Sequence, residues 1–160
     1  MNQNGIVILM ADDDDDDYLL TKKALQESKL LNTLCRVKDG EELLDYLKCR
    51  GQYADKQECG RPGVILLDLN MPKKDGREAL KEIKSDDDLK DIPVVVFTTS
   101  KAEEDIYRSY QLGVNSFITK PVTFEGLLQV IQTLGKYWFE IVELPTSHAD
   151  APNEKEGSSV

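Results

Sequence analysis

The sequence predicts an α/β domain, a doubly wound sheet of five parallel strands with helices on both faces. Three observations carry this. Short apolar runs alternate with amphipathic stretches along most of the chain, the pattern of successive crossover units. The runs Ile6-Val7-Ile8-Leu9-Met10-Ala11 and Val64-Ile65-Leu66-Leu67 are continuously apolar, as strands buried on both faces are. Both also end in aspartate, at the carboxyl ends of strands where sheets of this class bind their ligands.

Taken in order, the first strand is read over residues 6–11 and the first helix over 18–28. A weaker strand at 33–38 is followed by a helix over 41–50 and by a polar, glycine-bearing loop at 50–63. The third strand spans 64–69 and its helix 76–85; the fourth spans 93–98 with a helix over 102–112. A short strand at 116–119 and a long helix at 123–139 complete the set, every helix carrying Leu, Ile or Tyr at helical spacing. Residues 1–145 thus form one domain with a carboxyl extension, and 146–160 have too little apolar content to offset the entropy of ordering, so a disordered tail is expected.

Composition narrows the function. Lys and Arg number 20 against 30 Asp and Glu, and the net charge of −10 repels nucleic-acid phosphate and anionic membrane surfaces, so neither partner is expected. No apolar stretch approaches the roughly 18 residues of a membrane span, and residues 1–5 are too polar for a secretory signal, which predicts a cytoplasmic protein. Cys35, Cys49 and Cys59 lack metal-like spacing and are expected as reduced thiols.

The strand ends hold the chemistry. Asp68 follows one apolar run, and Asp12 to Asp17 follow another. A nucleotide-binding fold would put a glycine-rich loop after the first strand. Aspartates there repel phosphate unless a cation intervenes. An all-oxygen site favours a hard divalent ion, and Mg2+ takes few protein ligands plus a phosphate oxygen. A hand-type calcium loop does not fit, because Asp12 to Asp17 lacks its glycine and Asp68-Leu69-Asn70 runs into Pro72. The fourth strand ends in Thr98-Thr99-Ser100 and the fifth in Lys120-Pro121. A carboxylate nucleophile, a metal, a lysine and a hydroxyl are the parts that phosphoryl transfer requires. Singly, Asp68 reads as a turn residue capping a strand. Beside Asp13, Thr98 and Lys120 it reads as the reacting group.

With the acid pair Asp12-Asp13, Leu67-Asp68-Leu69-Asn70-Met71-Pro72 with Asp75-Gly76, then Thr98 and Lys120-Pro121, residues 6–139 resemble a receiver domain of two-component response regulators. The resemblance implies a flavodoxin-like sheet of order 2-1-3-4-5 and a phosphoryl group passed to Asp68 from a histidine kinase's phosphohistidine. It further implies Mg2+ held by Asp13, Asp68 and the Asn70 carbonyl, with Asp12 acting through a water. Lys120 would meet one phosphoryl oxygen and Thr98 another, and Phe117 would be the aromatic switch reshaping the surface around the fourth helix and fifth strand. The lysine–proline bond is typically cis in the family.

Each assignment has a plainer counterpart. The aspartate run leaves the register of the acid pair open by one residue, Thr99 competes with Thr98, and Phe117 can simply fill core. Asp14 to Asp17 read as solvated acids at a helix N-terminus, and Asp86-Asp87-Asp88 as a solvated loop. His148, the only histidine, falls in the tail and is no phosphotransfer donor. A haloacid-dehalogenase-like phosphatase is the main rival, but it needs an acid where Asn70 stands and its acid pair late in the chain. A phosphorylation-independent scaffold is the other rival, disfavoured because every chemical group is present.

In the last helix, Phe124, Leu127, Leu128, Ile131, Leu134 and Trp138 form a core stripe, and Tyr137-Trp138-Phe139 cannot all face one core, being about 100° apart. With the apolar stretch Glu140 to Pro145, this end either folds back over the domain or associates with a second copy. With Pro72-Lys73-Lys74-Asp75-Gly76-Arg77-Glu78, Thr98-Thr99-Ser100 and Trp138-Phe139 through Leu144-Pro145, the chain is similar to small cyanobacterial and bacterial response regulators paired with phytochrome-type kinases, which implies a homodimer built on the last helix and its extension.

Overall fold

The computed structural model describes residues 6–55 and 60–136. Five strand–helix pairs follow one another: β1 (Ile8–Ala11) and α1 (Asp15–Glu27), β2 (Leu34–Val37) and α2 (Gly40–Leu47), β3 (Val64–Leu67) and α3 (Gly76–Ser85), β4 (Val94–Thr98) and α4 (Glu103–Leu112), β5 (Ser116–Thr119) and α5 (Phe124–Leu134). All pairings are parallel, in the order β2-β1-β3-β4-β5. The chain therefore reverses direction across the sheet between β1 and β3, the position where doubly wound folds open a crevice.

Alternate residues of each strand feed two cores. Ile8 and Met10 join Val64, Leu66, Val95 and Phe97 beneath α1 and α5, which add Ala24, Leu25, Leu127 and Ile131. Leu9 and Ala11 join Ile65, Leu67, Val94 and Val96 on the other face, with Leu43 and Leu44 of α2 and Leu80 and Ile83 of α3. Each of the Leu, Ile, Val, Met and Phe side chains among them, withdrawn from water, contributes about 1.5–3 kcal/mol, and the alanines less. Burial on both faces is why β1, β3 and β4 were legible as apolar runs. β5, at the edge, is only half-buried throughout. Its Phe117 backs the second core, and its outward Phe117 N–H donates to the Tyr110 hydroxyl of α4 at 3.1 Å.

Several expectations shift. α1 begins three residues before Tyr18, at Asp15, because the Asp14 carboxylate caps it, accepting from the Asp16 and Asp17 N–H groups at 2.8 and 3.1 Å. α2 stops at Leu47, short of Arg50, and Cys49 enters the left-handed region at φ 56°. A single 3-10 turn at Gly51–Tyr53 interrupts the expected loop. β3 ends at Leu67 because the Asp68 carboxylate accepts the Asn70 N–H at 3.1 Å and starts a turn. The Lys120–Pro121 bond is trans, as are all described peptide bonds, against the cis form the resemblance implied. The β5 register already directs the lysine inward, with the Lys120 N–H on the Thr98 carbonyl at 2.7 Å.

The cysteines correct a further expectation. Cys49 is a free, exposed thiol, whereas Cys35, buried in β2, is disulfide-bonded. Spacing along the chain does not reveal which thiols the fold brings within reach. Asp86 to Asp88 do form a loop, Asp86 accepting the Asp88 N–H at 2.8 Å and Asp87 lying exposed. No described helix is long and apolar enough to cross a membrane. The expected end of the last helix, the extension, the tail and His148 lie outside the described residues.

Gly76 joins fold to strand end. A Cβ there would sit 2.2 Å from the Asp68 carbonyl oxygen and 2.7 Å from Leu69 Cα, so backbone, not a flexible side chain, would have to move. Gly76→Ala is expected to lower the urea midpoint by an amount worth at least about 2 kcal/mol, as overpacking does. An unchanged midpoint would show that the turn yields freely.

Candidate functional site

Register assembles the site. Ala11 pairs with Leu67, so the residues that follow, Asp12 and Asp68, leave adjacent strands side by side. Thr98 pairs with Thr119, which delivers Lys120 next to them from the far side. Asp12 and Asp68 are buried, Asp13 is exposed at the rim, and ligand oxygens from all three lie within 4.8 Å of one another.

Asp68 uses its two oxygens differently. Oδ1 accepts from the Thr98 hydroxyl at 2.7 Å and from the Asn70 N–H at 3.1 Å, while Oδ2 accepts from Lys120 Nζ at 2.9 Å. Thr98 is fully buried and Thr99 exposed, so the hydroxyl on the acid belongs to Thr98. Lys120 Nζ also lies 2.7 Å from Asp12 Oδ2 and 2.7 Å from Asp17 Oδ2. Burial disfavours the ammonium charge, but the hydrogen bonds and charges of Asp12, Asp17 and Asp68 outweigh it and hold the lysine well above its usual range.

Asp17 corrects the reading of Asp14 to Asp17 as solvated acids. The early start of α1 turns it toward the sheet edge, and its carboxylate pairs with Lys120. Asp14 serves as the helix cap, and Asp15 pairs with Arg36 at 2.8 Å. Arg36 also donates to the Asp12 carbonyl at 3.1 Å and lies over the Tyr18 ring, pinning the acidic turn from β2.

The donor set fits a hard divalent cation. Burial drives the Asp12 carboxyl up to about 6, against the hydrogen bonds of Lys120 and the Asp14 N–H that pull it down. Its Oδ1 accepts the Asp14 N–H at 2.9 Å, and its Oδ2 faces the Lys120 ammonium at 2.7 Å. Three carboxylates with oxygens within 4.8 Å of one another carry more negative charge than one ammonium balances, and a cation offsets the remainder. Asn70 is exposed, and its backbone N–H is already engaged by Asp68.

A second cluster borders the site and was not foreseen. Arg77, in the first turn of α3, donates from Nε and Nη2 to the two Asp105 oxygens of α4 at 2.8 and 2.7 Å. The Nη1 group reaches the Leu69 carbonyl at 3.3 Å, Asn70 Oδ1 at 3.4 Å and the Asp75 carboxylate at 3.1 Å. Ser100 adds a hydroxyl to Asp105 at 2.6 Å. Arg77 first, with Ser100 assisting, holds the Asp105 carboxyl at about 2, below its ordinary 3.8. A depressed acid contributes its stabilisation fully above the unfolded value and loses it as pH falls through the folded one, so this contact is intact at neutral pH. Within the sequence, only the position of Arg77 two residues after the Asp75 cap signalled it.

Comparison with known proteins agrees with the geometry. Residues 8–132 match the model of the response regulator receiver domain. The chain is 43% identical over 141 residues to the response regulator Rcp1 of Synechocystis sp., spanning 88% of this chain and 94% of that protein. It superposes on the phosphorylated cyanobacterial phytochrome response regulator RcpA with a TM-score of 0.81 at 44% identity, covering 89% of this chain and 99% of the other. The Mn2+-bound form of Rcp1 gives a TM-score of 0.80 at 43% identity over 88% of this chain and 99% of that one.

Added Mn2+ or Mg2+ is expected to raise the thermal midpoint by the equivalent of about 2.7 kcal/mol at a hundred times the dissociation constant. Asp13→Asn should remove most of that rise while leaving the metal-free midpoint nearly unchanged, since Asp13 is exposed. A full rise in the variant would place the cation elsewhere.

Proposed function

The chain belongs to the response regulator receiver domain family, and on that premise we propose that Asp68 accepts a phosphoryl group from the phosphohistidine of a sensor histidine kinase. The unequal surroundings of the two Asp68 oxygens carry this reading: a hydroxyl and an amide on Oδ1, an ammonium on Oδ2. The hydroxyl and the ammonium lie where negative charge must be held after transfer.

In the reaction one Asp68 oxygen forms a bond to phosphorus as the donor's N–P bond breaks, and the bonding pair departs with the imidazole nitrogen. Lys120 then pairs with one phosphoryl oxygen and the Thr98 hydroxyl turns to another. Asp13, Asp68 and the Asn70 carbonyl would hold Mg2+ directly, with Asp12 acting through a water. When bound, the ion supplies positive charge to the phosphoryl oxygens and offsets the repulsion among the acids. The protein is a phosphoacceptor, not a turnover enzyme; beyond transfer from the kinase, only its own metal-dependent phosphorylation by small donors and dephosphorylation are expected.

Withdrawal of the Thr98 hydroxyl from Asp68 leaves room into which Phe117 turns, remodelling the surface formed by α4 and β5. The similarity to RcpA and Rcp1 supports a phytochrome-type kinase as the partner, and the apolar residues from Tyr137 to Leu144 support a homodimer formed through the last helix and its extension. The acidic balance supports action through proteins, without nucleic acid or membrane, in the cytoplasm.

Incubation with Mg2+ and a small acyl phosphate should give a single phosphoryl adduct by intact mass, absent without metal and absent in Asp68→Asn. An unmodified wild-type protein would refute the acceptor assignment. Sedimentation at high concentration, with and without a phosphoryl mimic, should report a dimer; a monomer in both conditions would refute the association.

A further inference from the structure

The cluster around Arg77 is outside the phosphoryl site, yet it touches the loop on which that site depends. One guanidinium spans two elements: it grips Asp105 of α4 with a parallel pair of bonds at 2.8 and 2.7 Å, and reaches the Leu69 carbonyl and the Asn70 side chain at 3.3 and 3.4 Å. Asp105 is nearly buried and accepts a further bond from Ser100, two residues beyond Thr98. The Ser100 N–H in turn points at the Thr98 hydroxyl oxygen, at 3.4 Å. A path therefore runs from Asp68 through Thr98 and Ser100 to Asp105, and on through Arg77 to the Leu69 carbonyl and the Asn70 side chain.

We infer that Arg77 is a positioning residue that clasps the Leu69–Asn70 turn to the first turn of α4, so that the turn's fit to a bound cation and the placement of α4 depend on each other. This deepens the assignment of Asp68 and its cation site and rests on it. The fork geometry is specific to arginine, because an ammonium cannot hold both Asp105 oxygens and still reach the turn. Coupling between two sites is reciprocal, so cation binding that orders the turn also protects α4.

Electrostatics supplies a test with opposed signs. Arg77 is a positive charge beside a cation site, so by Coulomb's law alone Arg77→Ala should tighten cation binding. The clasp requires the reverse: Mn2+ affinity, measured by calorimetry on protein verified as folded, falls about 5-fold or more. Asp105→Ala, which removes no candidate ligand, weakens binding similarly, and the double variant is no weaker than either single one. Arg77→Lys keeps the charge and loses the fork, so it also weakens binding. Amide exchange gives an independent readout: Mn2+ slows exchange at residues 106–109, the first α4 amides with hydrogen-bond partners, in the wild type and does not in the variants, even at saturating metal. Tighter binding in Arg77→Ala, wild-type affinity in Arg77→Lys, additive single effects, or retained protection of α4 would each overturn the clasp. Failure of wild-type protein to bind Mn2+ or take up a phosphoryl group would instead overturn the underlying assignment.

Discussion

One ammonium answers three carboxylates from two stretches of the chain, and the rest of the site depends on that meeting. Asp12 and Asp68 are brought together by the register of β1 and β3, which the two cores fix on both faces. Two ionised acids at a dry sheet edge are unfavourable alone, and losing the partner of a buried charge costs about 3–5 kcal/mol. Lys120, with Asp17 on its outer side, removes most of that penalty. The same charge balance prepares the site for its chemistry, since a phosphoryl group and a divalent cation together replace what the acids and lysine now give one another.

The residues legible in the sequence were those at strand ends or just past them. A strand leaves its next residue little freedom of direction, so Asp12, Asp68, Thr98 and Lys120 converge once the strands are aligned. Asp13, one residue further on, joins Asp12 and Asp68 for the same reason, an oxygen of each lying within 4.8 Å of the others. Asp17 was misjudged because its direction depends on where α1 begins, and a side-chain cap at Asp14 decides that. Arg77 escaped notice because its partner lies 28 residues away on another helix. Apolar patterning encodes which face a residue takes, but not which distant charge it finds there. The disulfide of Cys35 escaped for a related reason, since pairing depends on proximity in space.

The two arginines at the rim show how an acidic chain spends few cations to effect. Arg36 ties β2 to the acidic turn through a backbone carbonyl, a carboxylate and an aromatic face, and Arg77 ties α3 to α4 across the neighbouring turn. Each holds several acceptors with one rigid planar group, a use for which lysine is poorly suited. Lysine is instead found at the centre, where a compact charge is shared among the oxygens of Asp12, Asp17 and Asp68.

At the outer margin of the sheet, the Tyr110 hydroxyl occupies the outward amide of Phe117. β5 pairs with β4 alone, so its other side is a strand edge, the kind of surface onto which a further extended chain can add. The tyrosine caps one amide of that edge with a side chain from α4, a contact that depends on the place of α4. A shift of the helix therefore changes more than the shape of a surface: it exchanges an internal bond for an open backbone donor, and makes the adhesiveness of the sheet's margin conditional on the position of one helix.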